Sequence, residues 1–298
     1  MNSPVTLDIK DLRLSFKNWS GTTQVLHGID LFVAAGERVA LVGESGSGKS
    51  VTSRIVLGTM QDVRSAQVSG KVMFEGRDLS SMTAAQRRLL RGRDISMIFQ
   101  DPTSALNPVF RIRELFHEVL QRRDPKISMK LARLRAAELL REVSIEDADR
   151  VLDSYSFQLS GGMNQRVMIA MALINEPRLL LADEPGTALD VTVQAQTLGL
   201  MRNMVDRLGT SVLFISHNLG VVREFADRIY VIYRGNIVES GPTAAIFNSP
   251  QHPYTQALLS AIPRLTGGGV PEIEEDSPAF NDPLVAHGNG IPIVGTRN

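Results

Sequence analysis

Gly43-Glu44-Ser45-Gly46-Ser47-Gly48-Lys49-Ser50 follows the apolar run Val39-Ala40-Leu41-Val42 and precedes a stretch able to form a helix. The order is a strand, a glycine-rich turn and a helix start. Glycines let such a turn curl until its backbone N–H groups point inward at phosphate oxygens. The Lys49 ammonium then reaches the β- and γ-phosphates, and the Ser50 hydroxyl reaches Mg²⁺. A plain Gly/Ser loop has no need of the whole G-x-x-x-x-G-K-S spacing in this context. Taken alone, the stretch predicts that a nucleoside triphosphate binds here.

The chain of 298 residues exceeds the usual domain of about 100–200 residues, so one large domain with an inserted subdomain or a tail is expected. Its 43% hydrophobic and 21% charged residues are those of an ordinary globular protein. No apolar run approaches the roughly 20 residues that span a bilayer. The first ten residues carry Asp8 and Lys10 and no apolar stretch, so no secretion signal is expected and the chain should stay in the cytosol. With no cysteine, disulfides, thiolate zinc sites and cysteine-ligated iron–sulfur clusters are excluded. A formal net charge of +0, from 32 basic and 32 acidic residues, does not favour a dominant nucleic-acid surface. The local cluster Arg87, Arg88, Arg91 and Arg93 reads as a solvated helix face.

Upstream of the loop, residues 7–16 alternate apolar and polar side chains, with Leu7, Ile9, Leu12, Leu14 and Phe16 as the apolar set of a half-buried strand. Residues 17–23 read as a turn and residues 25–33 as a second strand. Ala35-Gly36-Glu37 makes a tight connection into residues 38–42, so the chain should open with antiparallel strands. An aromatic ring before the phosphate loop can stack on adenine, because a π-face accepts a purine without specific hydrogen bonds. Phe16 and Trp19 are the candidates, with Phe16 preferred over its plainer reading as a core residue. Residues 50–60 can form the helix whose N-terminus faces the phosphates. Residues 68–74 and 95–99 read as strands, and residues 83–91 as a polar helix capped by Thr83.

Gln100 closes a strand just before Asp101-Pro102 and the turn-forming run 103–108. An amide at a strand's carboxyl end is placed to touch a metal ion or a water. Ile112, Leu115, Phe116, Val119 and Leu120 fall at helical spacing, and residues 128–143 contain neither Gly nor Pro. These stretches predict an inserted helical subdomain over residues 101–163, with His117 exposed on the polar side of its helix. Leu159-Ser160-Gly161-Gly162-Met163 then leads into residues 164–174, which contain no helix breaker. Ser160 alone would cap that helix, and two glycines are an expensive addition. They suit an anion site, where bare amides and the helix dipole aim at a phosphate and Ser160 adds a hydroxyl.

Residues 179–182 are apolar and end in Asp183-Glu184-Pro185, the pattern of a buried parallel strand with carboxylates at its carboxyl end. Successive strand side chains point in opposite directions, so Asp183 can serve a Mg²⁺ shell while Glu184 polarises a water. The plainer reading is an acidic pair that starts a helix. A turn at 186–190 and a helix over 191–208 follow, and residues 212–215 form another buried strand ending at Ser216-His217. Of five histidines, His217 alone occupies a strand's carboxyl end, and a γ-phosphate contact is expected for it. Arg234-Gly235-Asn236 centres a hairpin over 229–238, and Thr243 reads as the cap of a short helix. Gln251-His252-Pro253-Tyr254-Thr255 precedes an amphipathic helix to Ile262. From residue 266, glycines, prolines and acids predict a flexible tail over 266–298.

This ordered set resembles the ATP-binding subunits of ABC transporters over residues 5–265. Residues 43–50 resemble the Walker A motif and Gln100 the Q-loop glutamine. Residues 159–165 resemble the ABC signature, residues 179–184 Walker B, residues 187–190 the D-loop and His217 the switch histidine. The resemblance implies an α/β fold: a P-loop NTPase (RecA-like) core with an N-terminal antiparallel β subdomain and an inserted α-helical subdomain. It implies an ATP-binding domain over 1–265 that hydrolyses ATP, with an importer-type extension over 241–265. Nucleotide contacts are implied for Phe16, Gly43, Glu44, Ser45, Gly46, Ser47, Gly48, Lys49, Ser50 and Val51. Mg²⁺ contacts are implied for Ser50, Gln100 and Asp183, and catalytic roles for Glu184, His217 and Gln100. Ser160, Gly161, Gly162 and Met163 would touch the ATP held mainly by a partner subunit.

Finer wording narrows the group. Phe99-Gln100-Asp101-Pro102, Leu106-Asn107-Pro108, residues 159–163 and 166–173, and His252-Pro253-Tyr254-Thr255 are similar to the oligopeptide/dipeptide (and nickel) importers. Met163 with residues 166–173 resembles that group's D-type subunit. The partners so implied are an F-type ABC ATPase subunit forming a heterodimer, two integral-membrane permease subunits and an extracytoplasmic solute-binding protein, with no nucleic acid. The implied place is the cytoplasmic face of the cell (inner) membrane, peripherally, and the implied cargo is peptides or peptide-like solutes. Gly186 stands where the group has threonine and Asn218 where it has aspartate, which puts the timing of hydrolysis in question. Most of the cysteine-rich C-terminal region of such importers is absent, and with no cysteines the iron–sulfur site of some relatives cannot form. A soluble ABC ATPase acting on ribosomes or DNA would usually carry two cassettes or a long coiled-coil insertion. A P-loop kinase or GTPase leaves residues 159–163 unexplained, and Lys49 with Glu184 opposes a binding-only subunit.

Overall fold

The computed structural model describes residues 4–19, 21–186, 190–261, 277, 280 and 281. In chain order it begins with β1 (Val5–Asn18), β2 (Gly21–Ala34), β3 (Arg38–Val42), α1 (Lys49–Val56), β4 (Ala66–Phe74) and β5 (Arg77–Asp78). Then come α2 (Ala84–Leu90), β6 (Ile95–Ile98), α3 (Pro102–Ala105), α4 (Ile112–Gln121), α5 (Met129–Glu142) and α6 (Ala148–Asp153). They are followed by α7 (Gly161–Leu173), β7 (Leu179–Asp183), α8 (Val191–Leu208), β8 (Ser211–Ser216) and α9 (Leu219–Phe225). The last elements among the described residues are β9 (Arg228–Tyr233), β10 (Asn236–Pro242), α10 (Thr243–Asn248) and α11 (Pro253–Ser260). Two compact units result, residues 1–82 with 213–298, and residues 83–212.

In the first unit the antiparallel sheet has the order β2-β1-β4-β5. Its apolar alternation changes phase between Ile9 and Leu12 because the register shifts there and Asp11 sits at φ 47, so an extra residue restores the inward face. Leu7, Leu12, Leu14, Leu26, Ile29 and Val33 are thereby fully buried, each contributing about 1.5–3 kcal/mol. The turn expected over 17–23 is tighter than read, since β1 runs to Asn18 and pairs it with Gly21 of β2.

Strand β3 is buried at all five positions, as befits a strand with both faces covered. It pairs in parallel with β9 from Val39↔Arg228 onward, and β9 pairs antiparallel with β10. Two ion pairs fix this junction. Arg38 Nη2 donates to Asp227 Oδ1 at 2.7 Å, while Arg228 pairs with Glu37 and lies 3.7 Å over the Phe32 ring. The hairpin expected around Arg234-Gly235 is present, with φ 44 and φ 77 at those two positions as a type I′ turn requires.

Three further expectations in this unit need correction. Helix α1 stops at Val56 instead of continuing to residue 60, because Gly58 at φ 76 turns the chain. Thr243 does not cap α10; it lies within the helix and its hydroxyl donates to the Ala226 carbonyl at 2.7 Å. Helix α11 begins at Pro253 under His252, whose Nδ1 accepts the Tyr254 N–H at 3.1 Å, and Ile262 lies outside the described residues. The tail expected over 266–298 also lies outside them, except for residues 277, 280 and 281. Of these, Phe280 is buried, its ring 5.7 Å from Tyr233 and 5.6 Å from Tyr254.

In the second unit, β6 and β7 pair in parallel from Ile95↔Leu179 to Ile98↔Ala182. Helices α3 to α6 lie in the stretch read as helical, and their starts follow from capping chemistry. Ser128 accepts the Leu131 N–H, Asp147 accepts the Arg150 N–H, and Thr83 and Gln86 form a reciprocal box at α2. Phe116 and Leu120 of α4, Ala132, Ala136 and Leu140 of α5 and Val151 and Leu152 of α6 are buried. Asn175 ties loops together, its amide donating to the carbonyls of Gly92 at 2.6 Å and Val119 at 2.7 Å. His117 is not freely exposed as expected: it is half-buried, and Nε2 lies 3.0 Å from the Ile127 carbonyl.

Candidate functional site

Residues 43–50 connect β3 to α1, and their backbone is packed so closely that side chains would not fit at two positions. A Cβ on Gly43 would lie 2.1 Å from the Ile232 carbonyl oxygen. At Gly48, φ is 109 and a Cβ would lie 2.5 Å from Leu26 Cδ2. The loop curls accordingly, with Ser47 N–H donating to the Glu44 carbonyl at 3.2 Å. Lys49 is 5% exposed, and its Nζ donates to the carbonyls of Gly43 at 2.8 Å and Glu44 at 2.6 Å. The ammonium is thus held over the mouth of the loop by weak neutral acceptors, for which phosphate oxygens are stronger replacements. Gly48 offers no side-chain cap to α1, so this helix start has room to take an anion.

Ser47 Oγ supplies a direct test of fit. It is buried without a hydrogen-bond partner, a state that costs free energy unless a ligand completes it. A phosphate oxygen would complete it. Ser50 and Val51 lie in the first turn of α1. On β1, Phe16 is half-buried between Thr23 and Ala66, whereas Trp19 is fully exposed. His217 is exposed directly after β8, as its place at a strand end leads one to expect. Asn218 accepts the N–H groups of Gly220 and Val221 at 3.1 and 3.4 Å and so caps α9.

In the second unit, Asp183 ends β7 and is 6% exposed, and Glu184 follows it at φ 47. Gln100 is brought to this pair, its Nε2 donating to Glu184 Oε2 at 3.0 Å. The amide and the carboxylate read separately from sequence are therefore one hydrogen-bonded group. Ser160 caps α7 by accepting the Met163 N–H at 3.3 Å, with Gly161 exposed ahead of Gly162. A Cβ on Gly162 would lie 3.1 Å from Val193 Cγ1, a closer approach than most side chains make. Residues 187–189 of the expected D-loop lie outside the described residues, and Asp190 caps α8 by accepting the Val193 N–H at 3.0 Å.

One contact to the phosphate loop was missed from sequence. The Tyr254 hydroxyl accepts the Glu44 N–H at 3.0 Å. The only signal for it was the run His252-Pro253-Tyr254-Thr255, which stood out as a motif without an assigned contact. Among the described residues, no three His, Asp or Glu side chains gather as a metal site of their own. Mg²⁺ binds few protein oxygens and completes its shell with phosphates and waters, so a lone hydroxyl or carboxylate is the kind of donor it takes.

A family model for the ABC transporter matches residues 26–187, and one for the oligopeptide/dipeptide transporter C-terminal region matches residues 238–284. The oligopeptide transport ATP-binding protein OppD of Bacillus subtilis (strain 168) is 45% identical over 267 residues, covering 90% of this chain and 74% of that one. The dipeptide transport ATP-binding protein DppD of the same organism is 45% identical over 263 residues, covering 88% and 78%. Among solved structures, a dimeric post-hydrolysis state of an ATP-binding cassette bound to ADP and Pi aligns with TM-score 0.70 at 27% identity. It covers 80% of this chain and 98% of that one.

Proposed function

The chain belongs to the ABC transporter family, and from that premise we propose that it is the ATP-hydrolysing subunit of an importer for peptides or peptide-like solutes. The observation that carries the cargo class is the match of residues 238–284 to the oligopeptide/dipeptide transporter C-terminal region. The names of OppD and DppD point the same way. A soluble ATPase acting on ribosomes or DNA is not favoured by these relatives.

The proposed chemistry divides between the two units. Residues 43–50 bind the phosphates through backbone N–H groups, Ser47 Oγ and Lys49, and Phe16 stacks on the adenine. Ser50, Asp183 and Gln100 are the proposed Mg²⁺ contacts. When bound, the ion neutralises phosphate charge. Glu184 accepts a proton from the attacking water, Gln100 orients that carboxylate, and His217 contacts the γ-phosphate. The helix start at Ser160, Gly161, Gly162 and Met163 serves the ATP of a partner subunit, so the working form is a dimer, here with an F-type second subunit.

Among the described residues, no helix is long and apolar enough to cross a membrane. Membrane attachment is therefore proposed through two permease subunits at the cytoplasmic face, with a separate solute-binding protein delivering cargo. The test is reconstitution of the chain with its permeases and binding protein in vesicles, following labelled tripeptide uptake with and without ATP. Uptake that depends on ATP and is lost in Glu184→Gln is expected. ATP turnover without peptide uptake, together with uptake of another solute, would overturn the cargo assignment.

A further inference from the structure

Tyr254 reaches the phosphate loop from a point 210 positions further along the chain, and its hydroxyl accepts the Glu44 N–H at 3.0 Å. The carbonyl of the same peptide group, that of Gly43, accepts Lys49 Nζ at 2.8 Å. One peptide is therefore pinned at both of its polar ends. Lys49 is the pin that must leave, because its ammonium has to turn from neutral carbonyls to phosphate oxygens when a nucleotide arrives. Tyr254 is the pin that stays.

The aim of Tyr254 is itself constructed. A bulge in β10 between Ile237 and Glu239 breaks the strand's alternation, and Glu239 is 2% exposed. Its carboxylate accepts the N–H of Gln251 at 2.8 Å and of His252 at 3.1 Å. His252 Nδ1 in turn accepts the Tyr254 N–H at 3.1 Å, and Pro253 starts the helix. The buried Tyr254 ring is held 4.5 Å from Tyr233 and 5.6 Å from Phe280. From the β9–β10 hairpin that carries Tyr233, the Gly235 N–H donates to the Ser47 carbonyl at 3.0 Å, so the same structure grips the loop at a second point. Burial, the largest influence, holds the Tyr254 hydroxyl above the ordinary phenol range, so it stays neutral and protonated at physiological pH.

We propose that Tyr254 is a positioning residue for nucleotide binding: it fixes the Gly43–Glu44 peptide so that the loop keeps its curl once Lys49 has moved to phosphate, and through it α11 sets ATP affinity. This rests on the reading of residues 43–50 as the nucleotide loop. The neighbouring Thr255 supplies the control, since it is equally buried on the same helix and its hydroxyl has no hydrogen-bond partner.

The test titrates MgATP into the full chain as wild type, Tyr254→Phe, Thr255→Val and Lys49→Ala, with thermal melts confirming folding. Loss of one hydrogen bond to the loop should raise the ATP Kd and KM of Tyr254→Phe by roughly 3- to 10-fold. Its kcat should stay within about two-fold, since the hydroxyl touches no reacting atom. Amide exchange at Glu44 should be faster in Tyr254→Phe alone, and Thr255→Val should bind ATP as the wild type does. Unchanged affinity and unchanged Glu44 exchange in Tyr254→Phe would overturn the proposal, as would an equal loss in Thr255→Val. Equal binding by wild type and Lys49→Ala would instead overturn the reading of the loop on which it rests.

Discussion

Gln100 donates its side-chain amide to the Glu184 carboxylate at 3.0 Å, and Glu184 is itself held at φ 47, in the left-handed region. That backbone state costs about 1–3 kcal/mol for a residue with a side chain and persists where the surroundings impose it. Here it sets the direction from which the carboxylate leaves β7, and Gln100 fixes its rotation. A general base, the role proposed for Glu184, typically contributes about 10²- to 10⁴-fold to rate. Glu184→Gln should therefore reduce phosphate release by that factor while ATP still binds. Gln100→Ala should cost up to about ten-fold in kcat, the value of one hydrogen bond. Ordinary turnover by Glu184→Gln in the assembled transporter would remove Glu184 from the role of base.

Lys49 is 5% exposed and donates to two carbonyls of its own loop. Replacing it by alanine removes the cation offered to phosphate and leaves those carbonyls without that donor. Charge-assisted hydrogen bonds are worth about 1.5–3 kcal/mol each, so two lost to phosphate weaken ATP binding by roughly 100-fold or more. Calorimetric titration of Lys49→Ala with MgATP measures this directly. Affinity within ten-fold of wild type would show that Lys49 does not carry the phosphate interaction.

The parts of the site legible in sequence were those whose chemistry is local. The spacing of Gly43, Gly48, Lys49 and Ser50 specifies a turn and a helix start without reference to distant residues, and Ser160 capping α7 is equally local. Long-range partners were another matter. Gln100 and Glu184 were each placed at a strand end, but their hydrogen bond spans 84 positions, and the Tyr254–Glu44 bond spans 210. Periodicity assigns a helix face without telling what returns to it, which is why His117 was read as exposed although Ile127 supplies its carbonyl. Phe280 shows the limit of composition: a run of glycines, prolines and acids masked one ring that packs on Tyr233 and Tyr254.

Arg133 bonds both Asp149 and Asp153, and Arg113 also pairs with Asp153. The Arg133 hydrogen bond, the largest influence, lowers Asp153 to about 2 from 3.8. A depressed carboxylate contributes stability that is present above its unfolded value and is lost as pH falls through the folded one. The loss should therefore fall between about pH 4 and pH 2. Because these side chains are 31% and 43% exposed, solvent screening limits the effect to about 1 kcal/mol or less. Acid unfolding of Asp153→Asn beside wild type should show a gap above pH 4 that closes toward pH 2. A gap constant across that window would place the stabilisation elsewhere.

Gly186 and Asn218, read from sequence as departures from the importer pattern, should behave differently when reverted. Asn218 accepts the Gly220 and Val221 N–H groups at 3.1 and 3.4 Å, a cap that aspartate supplies equally well. Asn218→Asp should thus shift unfolding free energy by no more than about 0.5 kcal/mol. Gly186 lies at φ 90, where a β-branched residue clashes with its own backbone. Gly186→Thr should destabilise the fold by about 1–3 kcal/mol, or force the turn after Glu184 into a new path with a lower ATPase rate. Urea unfolding with parallel phosphate-release assays separates the two substitutions. Full stability and turnover in Gly186→Thr would mean that the positive φ is a property of glycine at this position and not a demand of the fold.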